Sequence, residues 1–180
     1  MDRVRRLVVG LVVLVAAGLV ILMVTVRPGL RDDAEAVDAS WKPLVTQLNA
    51  RYAALTAARD AFAKAGLGQR EVVVDLGRAL ERWKIASTGT DAEEQVQTAG
   101  TLEALAARAT ALANRPRLAD RSDLKLALAA FTKQQPPARL INAYNDQVKK
   151  YQRTRDGTFS RIVARLDGYP MRPTLQLLTA

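Results

Sequence analysis

An uncharged apolar stretch, LVVGLVVLVAAGLVILMVTV, runs from Leu7 to Val26 and constrains this chain more than any other feature. At a rise of 1.5 Å per residue, a helix over these 20 residues is about 30 Å long, which matches the hydrocarbon core of a bilayer. We therefore predict a transmembrane helix over residues 7–26, between a tail of residues 1–6 and a domain of residues 27–180.

A cleaved signal peptide is the alternative interpretation of this stretch. The apolar region of a signal peptide is normally about 7–15 residues long, and a cleavage site with small residues follows closely. Ala34-Glu35-Ala36 offers small residues, but it lies beyond Pro28 and several charged residues. The lengths therefore favour an uncleaved anchor.

Basic residues on the two sides of the stretch indicate its orientation. Three arginines lie within the first six residues, and two, Arg27 and Arg31, follow the stretch closely. Because the side richer in Lys and Arg stays in the cytoplasm, we expect a cytoplasmic N-terminus and an extracytoplasmic domain. The expected location is the cell membrane, with a single pass.

The composition excludes several kinds of active site. The chain has no histidine and no cysteine, which rules out disulfides, thiolate nucleophiles, imidazole bases and the usual zinc ligand sets. Two acidic pairs remain, Asp32-Asp33 and Glu93-Glu94, but neighbouring residues on a helix diverge by about 100° and do not converge on one substrate atom. We expect no enzyme activity, no cofactor and no bound metal.

Apolar residues recur at helical spacing along the whole domain. We expect Pro28-Gly29 to end the membrane helix. Pro43 is tolerated in the next helix if Ser40 caps that helix and Pro43 lies in its first turn, and otherwise Pro43 kinks the helix. Gly66 and Gly68 should end that helix. A second helix is predicted from Glu71 to about Ala86.

Three further helices are predicted after residue 90. Thr90 and Glu93 form a capping box that starts the first of them, and a shorter helix covers about Ser122 to Lys133. The last helix begins near Pro137 or Ala138 and has a weak turn at Gly157, and prolines 170 and 173 end the ordered chain. The predicted fold is all-α, with an N-terminal transmembrane helix followed by an elongated antiparallel four-helix bundle.

The stretch AYNDQVKKYQ, residues 143–152, repeats a tyrosine-amide pair after one heptad. Tyr144 and Tyr151 lie on nearly the same helix face, and Asn145 and Gln152 form a second row beside them. A core seam, with the amides bonded to a neighbouring helix, is the favoured interpretation. A ligand groove built on the same row is the alternative.

This stretch and the one after it resemble the C-terminal helix of the LemA family. That family carries two Tyr-Asn pairs a heptad apart, then a Phe-Pro step, a Leu/Val-Ala stretch and a Gly-aromatic ending. The two tyrosines and Asn145 match the pairs, with Gln152 in place of the second asparagine, and Ile162-Val163-Ala164 and Gly168-Tyr169 match the ending. Thr158-Phe159 stands where the family has Phe-Pro.

The first helix of the domain also resembles that family, through VDASWKPLVTQLNARY, residues 37–52. The resemblance covers most of residues 34–173. It implies a membrane-anchored four-helix bundle of the kind found in bacterial membranes, and it implies no activity.

Positive charge is concentrated in the last third of the chain. Thirteen Lys and Arg accompany five Asp and Glu in residues 114–180, whereas eleven accompany twelve in residues 27–113. A solvated helix face is one interpretation, and a contact surface for anionic lipid headgroups or wall polymers is the other. The candidate interaction face lies on the outer part of the predicted last helix and consists of Lys149, Lys150, Arg153, Arg161 and Arg165.

These observations predict a non-enzymatic scaffold or adaptor of the cell envelope, with an unidentified protein partner. The alternative is a membrane-anchored sensor that binds a small ligand between its helices. A nucleic-acid partner is disfavoured, because the expected location is outside the cytoplasm and aromatic residues do not alternate with the basic ones.

Overall fold

The computed structural model describes the backbone of residues 2–118 and 120–177, and the side chains from residue 8 onward except at positions 15, 19, 22 and 119. Its first element is one long helix, α1, from Asp2 to Phe62. The N-terminal part of α1 has a mean hydropathy of 3.0 over an 18-residue window, and none of that window is buried. This one helix is long and apolar enough to cross a membrane.

The two prolines of α1 do not interrupt it, so the predicted break at Pro28-Gly29 and the predicted helix start at Ser40 are wrong. A proline inside a helix costs about 3 kcal/mol, since it removes one backbone hydrogen bond. Burying one large apolar side chain contributes about 1.5–3 kcal/mol, and α1 buries many on both sides of Pro43. Ser40 donates its hydroxyl to the Val37 carbonyl within the helix and does not cap it.

Five helices follow α1, after a π-helical turn over Ala63–Leu67 that contains Gly66 at φ 77°. All the predicted helices of this part exist, and within residues 2–118 and 120–177 the regular structure is entirely helical, which confirms the all-α class. Their bounds are α2 Glu71–Ala86, α3 Ala92–Ala113, α4 Ser122–Lys133, α5 Ala138–Arg155 and α6 Ser160–Leu166.

The start of α3 differs from the prediction by one residue. Asp91, and not Thr90, is the N-cap, and its carboxylate accepts hydrogen bonds from the backbone N–H groups of Glu93 and Glu94 at 2.9 and 3.2 Å. Asp is among the strongest N-cap residues, because its short carboxylate reaches the unpaired N–H groups of the first turn.

Helix α1 is the element against which the rest of the domain packs, since α4, α5 and α6 lie along it and α2 pairs with α3. The Trp41 ring lies 4.9 Å from the Tyr144 ring, and Asp33 contacts Thr154 further along α5, so α5 runs opposite to α1. The core contains the apolar residues of α1 from Leu30 onward, including Phe62.

A buried ion pair joins α1, α3 and α4. The Arg51 guanidinium donates to the Glu103 carboxylate at 2.7 and 2.9 Å, and both side chains are almost fully buried. Arg51 also donates to the Phe131 carbonyl at 3.1 Å and lies 3.8 Å above the Phe131 ring. Because each charge is neutralised and hydrogen-bonded, the pair is tolerated in the core, where it connects three helices.

The predicted last helix is two helices, because α5 ends at Arg155 and α6 begins at Ser160, after the weak turn that contains Gly157. At the end of α6, Gly168 adopts φ 72°, a conformation that glycine accepts without a steric cost. The Tyr169 N–H donates to the Ala164 carbonyl at 2.9 Å, which is the bond of a Schellman motif. The chain therefore turns back toward α5.

Candidate functional site: the C-terminal segment and the basic surface

Residues 169–177, called the C-terminal segment below, lie extended along α5 and antiparallel to it. The prediction that prolines 170 and 173 end the ordered chain is wrong. Leu175, beyond both prolines, is 1% exposed and belongs to the hydrophobic core. This segment is the partner of the tyrosine-amide row.

The two tyrosines of the row hold the segment by its carbonyl groups. Both are fully buried, and the Tyr144 hydroxyl donates to the Pro173 carbonyl at 2.8 Å. One heptad later, the Tyr151 hydroxyl donates to the Pro170 carbonyl at 2.7 Å. The ring bodies thus pack in the core while the phenol groups bind backbone.

The two amides bind the same segment between and beside these contacts. Asn145 donates to the Leu175 carbonyl at 2.9 Å and accepts from the Leu175 N–H at 2.8 Å. Gln152 donates to the Arg172 carbonyl at 2.8 Å. The Asn145 amide therefore pairs with both backbone groups of one residue, as a neighbouring strand would.

Two arginines complete the attachment of the segment. Arg155 donates to the Tyr169 carbonyl at 3.2 Å, which explains why a charged residue interrupts the apolar seam of α5. Arg172, in the segment itself, forms an ion pair with Asp38 of α1 at 3.0 Å. The segment is thus joined to both α5 and α1.

Proline chemistry favours the extended conformation of the segment. A proline fixes its own φ near −65° and pushes the residue before it toward extended backbone, which here affects Tyr169 and Arg172. An extended segment without a neighbouring strand leaves its carbonyl groups without partners, and buried carbonyls need them. The hydroxyl and amide groups of α5 supply these partners.

The protonation of the tyrosines matches this role. Burial raises the pKa of Tyr144 and of Tyr151 above the ordinary value for tyrosine. Each hydroxyl therefore keeps the proton that it donates to a proline carbonyl. The prediction of a buried core seam is consistent with both tyrosines being fully buried, but the amide partners are the chain's own C-terminal segment and not another helix.

The five residues of the candidate interaction face are divided between two helices. Lys149, Lys150 and Arg153 lie on α5, whereas Arg161 and Arg165 lie on α6, beyond the break at residues 156–159. The expectation that all five share one helix is therefore wrong. All five are exposed, and an open cleft of about 600 Å³ is lined by Lys149, Arg153 and Gly157.

Lys150 differs from the other four because it neutralises a buried carboxylate. Its ammonium lies 2.8 Å from Asp33 of α1, which is 7% exposed and also accepts a hydrogen bond from Thr154 at 2.6 Å. Desolvation alone would raise the pKa of Asp33, but the hydrogen bonds from Lys150 and Thr154 lower it below its ordinary value. Lys150 thus has a structural role.

A second basic cluster lies at the other end of the domain and was missed by the sequence analysis. An open cleft of about 520 Å³ is bounded by Arg70, Arg108 and Arg115, with Leu112 and Val72 as apolar walls. Arg108 and Arg115 are seven residues apart, on α3 and just after its end, whereas Arg70 directly precedes α2 and is 38 residues from Arg108, so no local pattern connects Arg70 to the other two. Among the described residues, no group of three or more acidic side chains could hold a metal ion.

We predict that the Asn145 amide contributes to stability through its bonds to Leu175. Asn145→Ala should lower the free energy of unfolding by about 1–3 kcal/mol, since it leaves two backbone groups without partners. Tyr151→Ala should cost about 3–5 kcal/mol, the range for a large aromatic removed from a packed site. Urea denaturation of the full chain in detergent measures both values.

Asn142→Ala is the matched control, because Asn142 is an exposed asparagine on the same helix. It should change the free energy of unfolding by less than about 0.5 kcal/mol. Equal effects of the two asparagine substitutions would show that the bonds to Leu175 contribute nothing to stability.

The Asp33–Lys150 contact predicts a loss of stability in acid. The pKa of Asp33 is lower in the folded chain than its unfolded value of about 3.9, so the stabilisation is complete above that pH and disappears as the pH falls through the folded pKa. Lys150→Met should lower the melting temperature at pH 7, and the difference from wild type should shrink in acid. Lys149→Met removes an exposed pair with Asp146, so it should leave the melting temperature near that of wild type both at pH 7 and in acid.

Comparison with known proteins identifies no relative of this chain. No family model matches it, and neither a curated protein nor a solved structure does so. The resemblance to the LemA family therefore rests on the quoted residues alone. Function has to be argued from the geometry described above.

Proposed function

We propose that this chain is a non-enzymatic, single-pass membrane protein that resembles the LemA type and serves as a scaffold or adaptor of the cell envelope. In this proposal the N-terminal part of α1 crosses the membrane, and its C-terminal part forms an elongated antiparallel four-helix bundle with the helices that follow it, with a basic C-terminal half. The domain is extracytoplasmic, and its exposed cations at the end of α5 bind an acidic protein partner.

The observation that carries the proposal is the continuity of α1. The N-terminal part of α1 exposes its apolar residues, such as Leu14 at 73% exposure, and the C-terminal part buries its apolar residues in the domain. Both parts belong to the same helix. A soluble protein rarely exposes so large an apolar surface, so a membrane is the environment that fits it. Because the domain packs on the same helix, its distance from that membrane is fixed.

The nature of the clefts favours an adaptor over a sensor. A sensor of a small molecule needs a concave site that encloses most of the ligand. The clefts at Arg70 and at Gly157 are open to solvent and bounded by charged side chains, while the interior between the helices is filled by residues such as Leu48, Leu102 and Val148. Surfaces of this kind suit a macromolecular partner.

The exposed charges of α5 give the partner its expected chemistry. Lys149 and Arg153 are exposed, and their nearest polar contacts are the exposed Asp146 and a backbone carbonyl. Such weakly engaged cations attract acidic surfaces and steer association. We therefore expect an acidic partner at this end of α5.

Crosslinking in intact cells, followed by purification of the tagged full chain from detergent-solubilised membranes, tests this proposal. We expect a complex with a defined acidic protein that is lost in the variant Lys149→Glu/Arg153→Glu, because the charge reversal repels the partner. Lys150 is left unchanged, since it neutralises Asp33.

The control variant is Arg82→Glu/Lys84→Glu, which reverses two exposed charges on α2. This control should retain the complex, because it leaves the end of α5 intact. Recovery of the wild-type chain without any partner, or equal loss of the partner in both variants, would contradict the proposed adaptor function.

A further inference from the structure

Helix α6 and the residue before it carry an apolar surface that the domain does not cover. Val163 and Ala164 are buried, but Phe159, Ile162 and Leu166 are 59%, 45% and 61% exposed. These three residues are spaced by three and four, so they lie on one side of the helix. Exposed aromatic and aliphatic side chains grouped in this way mark a contact surface.

Basic residues flank this apolar surface. Arg161 and Arg165 are four residues apart, both exposed, and form a row on another side of α6. A helix with an apolar side and an Arg-rich polar side is typical of segments that lie in the interface of a membrane. The composition of α6 therefore indicates a lipid surface.

Contacts with α1 determine the height of α6 along that helix. Asp167, directly after α6, forms an ion pair with Arg27 at 3.0 Å. Thr154, before α6, contacts Asp33 of α1 at 2.6 Å. Helix α6 therefore lies beside residues 27–33, a length of about 9 Å along α1 at 1.5 Å per residue.

This height coincides with the headgroup layer of the bilayer. If the apolar residues 7–26 fill a hydrocarbon core of about 30 Å, Arg27 lies at its boundary. A bilayer of about 40–45 Å in total leaves about 5–8 Å for each headgroup layer, so more than half of the roughly 9 Å beside residues 27–33 lies within that layer. The exposed side of α6 is thus at the depth where amphipathic helices bind lipid.

We propose that α6 is a second membrane contact, in which Phe159, Ile162 and Leu166 enter the boundary between headgroups and acyl chains. Arg161 and Arg165 bind anionic headgroups beside them. This inference rests on the proposed crossing of the membrane by α1. With two contacts at different points, the domain is fixed in tilt and in rotation about α1, so that the same surface always faces the bilayer.

Quenching of a fluorophore by lipid tests this contact in the full chain. Because the chain has no cysteine, Ile162→Cys introduces a unique site for an environment-sensitive fluorophore. The protein is reconstituted in nanodiscs that contain phosphatidylglycerol, with or without lipid spin-labelled near the headgroup. We expect the spin label to quench the fluorophore strongly. We also expect the fluorophore to emit at a shorter wavelength than it does on the unfolded protein.

Leu126→Cys provides the matched control, since Leu126 is an apolar residue of α4 that is 72% exposed. A fluorophore there should be quenched little, because α4 packs along α1 far from residues 27–33. Thermal unfolding of both labelled variants verifies that they are folded.

A charge variant tests the role of the headgroups. Arg161→Gln/Arg165→Gln should reduce the quenching at position 162 in nanodiscs with phosphatidylglycerol, and should match wild type in nanodiscs of phosphatidylcholine alone. Both arginines are exposed, so the change should leave the melting temperature nearly unaltered.

Quenching at position 162 no greater than at position 126 would overturn the inference and would assign the α6 surface to a protein partner. Failure of the chain to enter nanodiscs would instead contradict the proposed crossing by α1, so the two failures are distinguishable.

Discussion

Backbone continuity of α1 through Pro28 and Pro43 is the constraint on which the rest of the structure depends. Each proline removes one hydrogen bond from the helix, so contacts made by the neighbouring turns have to keep both positions helical. After Pro28, the buried side chains from Leu30 to Phe62 attach α1 to every other helix of the domain. Before Pro28, the proposed membrane crossing would have the same effect, because a helix in lipid cannot unwind without exposing unpaired backbone groups.

The C-terminal segment shows how polar side chains can take the place of a neighbouring strand. Tyr144, Asn145, Tyr151 and Gln152 bind its backbone groups from one side of α5. Because they contact carbonyl and N–H groups rather than side chains, they fix the path of the segment with little demand on its sequence. Leu175 in the core then fixes its register.

Helical periodicity is a local property, and it predicted the helices and the buried side of α5 well. The partner of the tyrosine-amide row was not predicted, because hydrogen bonds from Asn145 to Leu175 span 30 residues and no local pattern encodes them. Pro28 and Pro43 were misinterpreted for a related reason, since the packing of α1 against the other helices outweighs the intrinsic cost of a proline. The arginine cleft at Arg70 was not predicted, because Arg70 precedes α2 and meets Arg108 and Arg115, from α3 and the residues just after it, only in the folded chain.

The distance between two spin labels on α1 tests the central claim most directly. Labels at Val24→Cys and Ala57→Cys, both at exposed positions on either side of the two prolines, are separated by 33 residues. A continuous helix places these residues about 50 Å apart, at 1.5 Å per residue. Electron paramagnetic resonance on the full chain in nanodiscs should give one narrow distribution near that value, whereas a broad or much shorter distribution would show that α1 bends at Pro28 or Pro43.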